Sequence, residues 1–367
     1  MAEEEVMMKN TFGNSVSVTL FGESHGAEIG VVIDGLAPGI AVDEEFIRHQ
    51  LSLRRPSGKI STARVESDPF RIVSGVFEGR TTGTPICILI PNSNTRSGDY
   101  EKGLPRPGHA DYTAECKYHG FQDFRGGGHF SGRLTAPIVA AGALAISALQ
   151  KQGIQIGTHI SELAGIPDRS FDDLEADIET LSDLTFPVLS ASAGTAMQTA
   201  IEAAAAEGDS VGGVLETAVI GMPAGVGEPW FDTVEGILSH ALFSIPAIKG
   251  VEFGVGFGFA NMRGSEANDP FRVNNGRIVT TTNHNGGVNG GITNGMPLLF
   301  RSVVKPTPSI FVDQDSVDLD TMQNATLTLK GRHDPAIIHR ARVVVDSMTA
   351  ITLCDLLAQR FGTDFFA

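Results

Sequence analysis

The chain is poor in cysteine, tryptophan and tyrosine. Its 367 residues include three cysteines, one tryptophan and three tyrosines. The cysteines, Cys87, Cys116 and Cys354, are far apart and form no CxxC pair. This spacing argues against a disulfide framework and against a cysteine zinc site, and it is typical of reduced thiols in the cytoplasm.

Long hydrophobic runs are also missing. The longest, PIVAAGALAISAL from Pro137, is shorter than the about 20 apolar residues that cross a bilayer. The amino-terminal sequence MAEEEVMMKN is acidic and polar, unlike a secretory or organellar leader. With 41% hydrophobic and 19% charged residues, the composition predicts a globular cytoplasmic protein that has no membrane partner.

Cations are fewer than anions. The chain has 27 Lys and Arg against 43 Asp and Glu, a net charge of −16, whereas nucleic-acid-binding proteins usually have a basic face. The cations nevertheless cluster, mostly in loop-like sequence beside Gly, His or Pro: Arg54, Arg55, Lys59 and Arg64; Arg106, Arg125 and Arg133; Arg332 and Arg340. This pattern favours a small, strongly anionic ligand in a pocket, and solvated surface arginines are the alternative.

The predicted secondary structure is mixed. Ala-rich or apolar helices are predicted over 137–150, 191–207 and 342–360, each stopping near a glycine. Short runs such as SVSVTLF, ICILI and LLFRSVV have the alternation of half-buried antiparallel strands. Because no regular β–α–β alternation occurs, we expect an α+β fold with Ala-rich helices between antiparallel sheets, and no dinucleotide-binding parallel sheet.

Domain boundaries are not marked by any linker, so the length is compatible with one large domain or with two or three smaller ones. Two segments resemble each other: IDGLAPGIAVDEEFIRHQLS from Ile33 and VIGMPAGVGEPWFDTVEGILSHAL from Val219. Each has an apolar strand, a Gly/Pro turn and an acidic helix start. The likeness indicates an internal duplication with a pseudo-two-fold repeat, and a chance match of turn chemistry is the alternative.

Glycine, at 43 residues, clusters beside polar side chains. The clusters are FGESHG (21–26), RPGHADYT (106–113), RGGGHFSGR (125–133), NHNGGVNGGITNG (283–295), KPTPS (305–309) and GRHDP (331–335). The stretch RGGGHFSGR matches neither the P-loop nor the dinucleotide fingerprint. Together the clusters predict a site whose backbone edges hold a flat ligand.

Four histidines of these clusters are candidates for proton chemistry: His25, His109, His129 and His333. Because histidine titrates near neutral pH, we expect at least one to transfer protons. A metal site using His109 with Asp111, or His333 with Asp334, is the alternative. Neither pair has the spacing of HExxH, and we predict no metal.

The order of GESHG, RRP, SGKISTAR, SGVFEGRTTGTPI, RPGHADYT, RGGG and GRHDP resembles the chorismate synthase family, from about residue 21 to residue 356. The resemblance implies one domain over 1–367 with a βαβ sandwich fold, usually a homotetramer. It also implies the anti-1,4-elimination of phosphate and a C6 hydrogen from 5-enolpyruvylshikimate 3-phosphate, giving chorismate with reduced FMN and no net redox change. NADPH then acts only indirectly, through a separate flavin reductase. Such a substrate carries roughly four negative charges, which explains the arginines.

The resemblance also implies roles for single residues. His25 would lie near the flavin N1–C2 edge, His109 would protonate the leaving phosphate, and Asp334 would lie near flavin N5. Substrate or anion binding is implied for Arg54, Arg55, Lys59, Arg64, Arg106, Arg133 and Arg332. Flavin binding is implied for His129, Phe130, Ser131, Ala247, Gly290, Lys305, Pro306, Thr307, Pro308, Ser309 and Arg332.

The chain departs from the family pattern at several of these positions. Many members read GGGRSSARET where this chain reads GGGHFSGRLT; Lys59 replaces a common arginine and Pro308 a common serine. Two other functions are considered, a flavin oxidoreductase with net electron transfer and a non-catalytic anion-binding relative. The missing dinucleotide signature argues against the first, and His25, His109 and Asp334 argue against the second.

Overall fold

The computed structural model describes residues 9–56, 60–61, 67–93, 102–329 and 334–367. The predicted site residues Lys59, Arg64 and Arg332, together with His333, lie outside these ranges. The helices are α1 (Glu44–Leu53), α2 (Asp111–Tyr118), α3 (Thr135–Lys151), α4 (Leu174–Leu181), α5 (Ala191–Ala206), α6 (Val234–Phe243), α7 (Gly264–Ala267) and α8 (Ile338–Phe361).

Two five-stranded antiparallel sheets contain most of the strands. The first has the order β1 (Thr11–Phe12), β2 (Ser17–Gly22), β3 (Glu28–Asp34), β7 (Ile86–Pro91), β4 (Arg71–Ser74). The second has the order β11 (Ile248–Phe253), β16 (Leu298–Val304), β10 (Gly213–Ile220), β8 (Gln155–Leu163), β9 (Ile166–Pro167). The two-stranded pairs are β5 (Val76–Phe77) with β6 (Arg80–Thr81), β12 (Phe271–Asn274) with β13 (Arg277–Thr280), β14 (Val288–Asn289) with β15 (Ile292–Thr293), and β17 (Gln314–Asp318) with β18 (Gln323–Leu327).

Helices α3 and α8 pack against each other between the two sheets. Helix α3 contacts β3 and β7 of the first sheet, while α8 contacts β8 and β10 of the second. The helices approach closely because α3 has Gly142 at the crossing, where a Cβ atom would lie 2.2 Å from Cβ of Ser347. The predicted α+β fold with antiparallel sheets is confirmed.

Helix α3 is apolar on all sides. Together with two short 3₁₀ segments before it, it forms a helical stretch from Arg125 to Lys151 that is long and apolar enough to cross a bilayer. However, 89% of the most apolar window of this stretch is buried inside the fold. A helix that is hydrophobic all round is also the expected form of a core helix in a large domain, and this is the position of α3 between the sheets.

The Ala-rich helix α5 differs from the expectation that such helices lie between sheets. Its buried residues are Gly194, Met197 and Ile201, and the alanines on its other side are exposed. Alanine favours helix formation but supplies little apolar area. The helix therefore packs on the protein surface through these three buried residues only.

The two similar segments adopt similar local structures. The first forms β3, a turn and α1, and the second forms β10, a turn and α6. Each strand is the middle one of its five-stranded sheet. Each helix begins at a side-chain cap, Asp43 for α1 and Thr233 for α6, whose oxygen accepts a backbone N–H of the first turn.

His339, near the start of α8, is buried, and its pKa makes the stability of the fold depend on pH. Its Nε2 atom lies 2.9 Å from the hydroxyl of Ser61. Burial, with the nearby charge of Arg340, lowers the pKa of His339 from 6.5 to about 3. Between these two values the unfolded chain binds a proton that the folded chain does not, so acidification reduces stability in this window.

His339→Gln keeps a hydrogen-bonding group near Ser61 but cannot take up the proton. When the pH is lowered from 7 to 5, we expect the free energy of unfolding of wild type to fall by about 2 kcal/mol more than that of the variant. Urea unfolding at both pH values measures this difference. His49→Gln, at a half-exposed histidine paired with Asp183, is the control. An identical pH dependence for His339→Gln and wild type would contradict the assignment.

Candidate active site

A cavity of about 850 Å³ opens beside α3, α8 and the glycine-containing loops. The predicted site residues that line it are Arg54, His109, His129, Phe130, Ser131, Arg133, Ala247, Lys305, Thr307, Pro308, Ser309 and Asp334. Segments far apart in sequence therefore meet at one place.

The charge of the cavity is opposite to that of the whole chain. Its lining includes the cations Lys9, Arg54, Arg133, Lys249, Lys305 and Arg340. Among the described residues that line it, the one carboxylate is that of Asp334. A concave surface with this excess of cations attracts anions, even on a protein of net charge −16.

The triglycine run at the start of RGGGHFSGR, residues 126–128, lies between two of the predicted histidines. A Cβ atom on Gly126 would be 2.2 Å from Cε1 of His25, and one on Gly127 would be 3.1 Å from Cε1 of His109. Gly126, Gly127 and Gly128 all have positive φ. Side chains are thus excluded here both by backbone conformation and by the two imidazole rings.

Ser24 joins His25 to the glycine loop. Its hydroxyl lies 3.1 Å from Nδ1 of His25 and 3.1 Å from the carbonyl oxygens of Arg125 and Gly126. Its backbone N–H donates to the carbonyl of Gly128. His25 does not line the cavity; its ring packs against the loop with Nε2 buried.

His109 is held by the carboxylate of Asp111, the first residue of α2. Nδ1 of His109 lies 2.6 Å from Oδ1 of Asp111. Because a carboxylate only accepts hydrogen bonds, Nδ1 carries a proton and Nε2 is the ring nitrogen that exchanges one.

The same carboxylate binds Arg106. The backbone N–H, Nε and Nη2 of Arg106 donate to Asp111 at 3.0, 2.8 and 2.8 Å. Burial opposes the ionisation of Asp111, but hydrogen bonds from Arg106 and His109 hold its pKa below the ordinary value. Asp111 therefore remains an anion that fixes two predicted site residues at once.

Asp334, at the other side of the cavity, pairs with Arg340 at 2.6 Å. Arg340 also donates from Nε to the backbone carbonyl of Arg54 at 2.7 Å. The start of α8 is thereby tied to the end of α1, and Asp334 is held at the cavity wall.

The segment KPTPS (305–309) contributes polar atoms to the same wall. Lys305 Nζ donates to the carbonyl of Gly108, and Arg106 Nη1 lies 3.3 Å from the hydroxyl of Ser309. The hydroxyl of Thr307 is buried without a hydrogen-bond partner among the described residues, although Thr307 lines the cavity. A buried, unsatisfied hydroxyl at a cavity wall fits a polar ligand that would complete its hydrogen bonding.

Five described residues of the predicted set do not line this cavity: His25, Arg55, Arg106, Gly290 and Pro306. Arg55 donates from Nη2 to the carbonyl of Ser67. Gly290 is exposed in the turn between β14 and β15. The sequence analysis did not assign Asp68 to the site. It counted Arg340 only among the clustered cations and considered Asp111 only as a metal ligand, so neither was given a role beside the substrate or the flavin.

No group of three or more His, Cys, Asp or Glu side chains suitable for a metal ion occurs within the described ranges. His109 and Asp111, the ligands of the alternative metal site, are instead bonded to each other, and Asp111 also accepts from Arg106.

These features define an α+β protein with a strongly cationic cavity and loop histidines packed on a triglycine segment. Residues 16–358 match the family model described as chorismate synthase. The chain is 48% identical to a chorismate synthase from Dehalococcoides mccartyi, over 95% of this chain and 96% of the relative. It is 45% identical to one from Thermococcus kodakarensis, over 95% and 97%, and 47% identical to one from Chitinophaga pinensis, over 97% and 99%.

A solved structure agrees with these sequence relatives. A crystal structure of chorismate synthase superposes with a TM-score of 0.76 at 28% identity, covering 95% of this chain and 94% of the other. The chain belongs to the chorismate synthase family.

Proposed function

We propose that the cavity binds 5-enolpyruvylshikimate 3-phosphate beside reduced FMN and that the chain eliminates phosphate and the C6 hydrogen to give chorismate. As a member of its family, the chain is a lyase of the shikimate pathway, which leads to the aromatic amino acids. The observation that carries the proposal is the excess of cations over carboxylates among the described residues of the lining. A substrate with two carboxylates and a phosphate matches that charge.

His109 would protonate the departing phosphate. The hydrogen bond from Nδ1 to Asp111 leaves Nε2 as the proton donor, and Arg106 is fixed within 3.1 Å of the same ring. Arg54 and Arg133 would hold anionic groups of the substrate at the cavity wall, with Arg55 and Arg106 nearby and Lys59, Arg64 and Arg332 supplied by segments outside the described ranges. The elimination breaks a carbon–oxygen bond to phosphate, which makes the chain a carbon–oxygen lyase acting on phosphates.

The flavin would be held by the cavity residues of three segments, 129–131, Ala247 and 305–309. The buried hydroxyl of Thr307 and the positive φ of 75° at Ala247 support this assignment, because strained residues and unsatisfied polar atoms gather at ligand sites. When bound there, reduced FMN would supply transient electron density for the loss of phosphate. His25 would protonate the flavin or balance its charge at the N1–C2 edge, and Asp334 would lie near flavin N5.

Anaerobic turnover distinguishes this lyase from an oxidoreductase. We expect many chorismates per flavin when FMN is chemically reduced, and none with oxidised FMN alone. The flavin absorbance should return to that of the reduced form after the substrate is exhausted. One equivalent of oxidised flavin per product would place the chain in the oxidoreductase class instead.

A separate flavin reductase would regenerate reduced FMN, so NADPH would act only through that partner, and we place the enzyme in the cytoplasm. Adding NADPH and oxidised FMN to the purified chain tests the first point, since turnover without a reductase would show that the chain reduces its own flavin.

We further propose that residues 1–367 form one domain that arose by duplication. Support comes from one continuous apolar core, which extends from Val16 to Phe366 within the described residues. The strand–turn–helix units β3–α1 and β10–α6, each starting from the middle strand of its sheet, support the duplication.

A homotetramer is expected in solution. Gly290, which does not line the cavity of its own chain, would then be able to reach the cavity of a neighbouring subunit. Light scattering across micromolar concentrations measures the assembly directly. A particle of 38.8 kDa, the mass of one chain, would disprove it.

A further inference from the structure

Asp68 is buried directly behind two arginines of the cavity. Its Oδ2 accepts from Nη2 of Arg54 at 3.0 Å, and its Oδ1 accepts from Nη1 of Arg133. Asp68 and Arg54 are 3% exposed and Arg133 is 7% exposed. The three residues come from separate segments, after α1, before β4 and before α3, and the carboxylate joins all three.

Arg133 has further bonds that set its plane. Nε donates to Oδ1 of Asn92 at 3.0 Å, and Nη2 donates to the carbonyl of Pro91 at 3.2 Å, both at the end of β7. Asp68 thus connects Arg54 to a guanidinium that is already fixed on the first sheet.

Two buried guanidinium groups repel each other unless an anion lies between them. Burial opposes the ionisation of Asp68, but the charges of Arg54 and Arg133 outweigh it and hold its pKa below the ordinary value. The carboxylate thereby keeps the two guanidiniums side by side at the cavity wall.

The backbone at Asp68 also departs from ordinary geometry. Its φ is +44°, in the left-handed region that non-glycine residues seldom adopt. Backbone strain of this kind persists where the surrounding structure imposes it. Here the strained residue is the one whose carboxylate lies between the two arginines.

We propose that Asp68 is a positioning residue that holds Arg54 and Arg133 as a preformed clamp for an anionic group of the substrate. The proposal rests on the proposed function for the identity of that substrate. It differs from a purely neutralising role in the sign of its effect. If Asp68 only reduced the positive charge, its removal would strengthen anion binding; if it positions the clamp, its removal weakens binding despite the added positive charge.

The test uses Asp68→Asn, because asparagine has the same shape and tolerates the left-handed backbone. The first readout is calorimetric binding of 5-enolpyruvylshikimate 3-phosphate to the full chain with oxidised FMN, where no turnover is expected. The second is the KM and kcat of the reduced enzyme. We expect the Kd and KM to rise at least about 10-fold, the loss of one well-placed charged hydrogen-bonding group, with a smaller change in kcat.

Asp177→Asn is the matched control, because Asp177 pairs with Arg169 away from the cavity. Both variants should be folded by circular dichroism. If Asp68→Asn does not fold, Asp68→Glu, which keeps the charge but displaces it by one methylene, provides the same measurement and the same expected weakening. A Kd that is unchanged or tighter than wild type in either variant overturns the proposal.

The two proposals fail separately. If wild type binds the substrate with oxidised FMN but never turns it over when the flavin is reduced, the proposed reaction is wrong while the binding assay still tests the clamp. If wild type turns over normally and Asp68→Asn matches it in Kd and KM, the clamp is wrong while the reaction stands.

Discussion

Replacing His109 with alanine is expected to reduce kcat by roughly 10²–10⁴-fold, the usual loss when a general acid or base is removed. Its Nδ1 is bonded to Asp111 at 2.6 Å, so in the proposed mechanism Nε2 would give a proton to the departing phosphate. Alanine leaves Asp111 and Arg106 bonded to each other, which preserves the local loop. Turnover at saturating substrate and reduced FMN measures the effect.

His25→Ala should show a loss in the same range, because the proposed proton transfer at the flavin depends on that ring. The control is His49→Ala, a half-exposed histidine on α1 that pairs with Asp183 outside the cavity. His49→Ala should keep wild-type turnover. Near-normal rates for both His25→Ala and His109→Ala would remove these histidines from the mechanism.

Helix bounds could be predicted from the sequence where periodicity and terminal signals agree. The Ala-rich run predicted over 137–150 forms α3 (Thr135–Lys151), and the run predicted over 342–360 forms α8 (Ile338–Phe361). Strand β8 (Gln155–Leu163) was not predicted. Its sequence QIGTHISEL places Thr158 and His159 in the interior, where they bond to Asp346 and Asp168. Because these buried residues are polar, the sequence did not indicate a buried strand.

The sequence motifs that form the site could be predicted more readily than the side-chain contacts between them. Glycine, histidine and arginine in short motifs indicated which loops carry the chemistry, and most of those loops meet at one cavity. The carboxylate that joins Arg54 to Arg133 could not be predicted, because Asp68 stands 14 residues from Arg54 and 65 from Arg133. Pairings over such separations are created by the sheet and helix packing, and a single sequence carries no periodic signal for them.

Gly126→Ala is expected to lower kcat by about 10²-fold, the loss that follows when a reacting group is misplaced by about 1 Å. The added Cβ would lie 2.2 Å from Cε1 and 2.4 Å from Nδ1 of His25, and 2.7 Å from the hydroxyl of Ser24. These contacts are far inside van der Waals distance, so the ring or the loop must move. The variant leaves every side chain of the proposed mechanism present, and it therefore tests position alone.

Backbone strain must be separated from displacement of His25, because Gly126 has a φ of +61° that alanine adopts at a cost. Gly276→Ala is the control: its φ is +76°, and nothing lies within 4 Å of an added Cβ. Both variants should lose a similar, small amount of stability through strain, while Gly126→Ala alone should lose activity. Equal turnover in the two variants would show that Gly126 is needed only for its backbone conformation. The close packing of the loop on His25 would then have no part in catalysis.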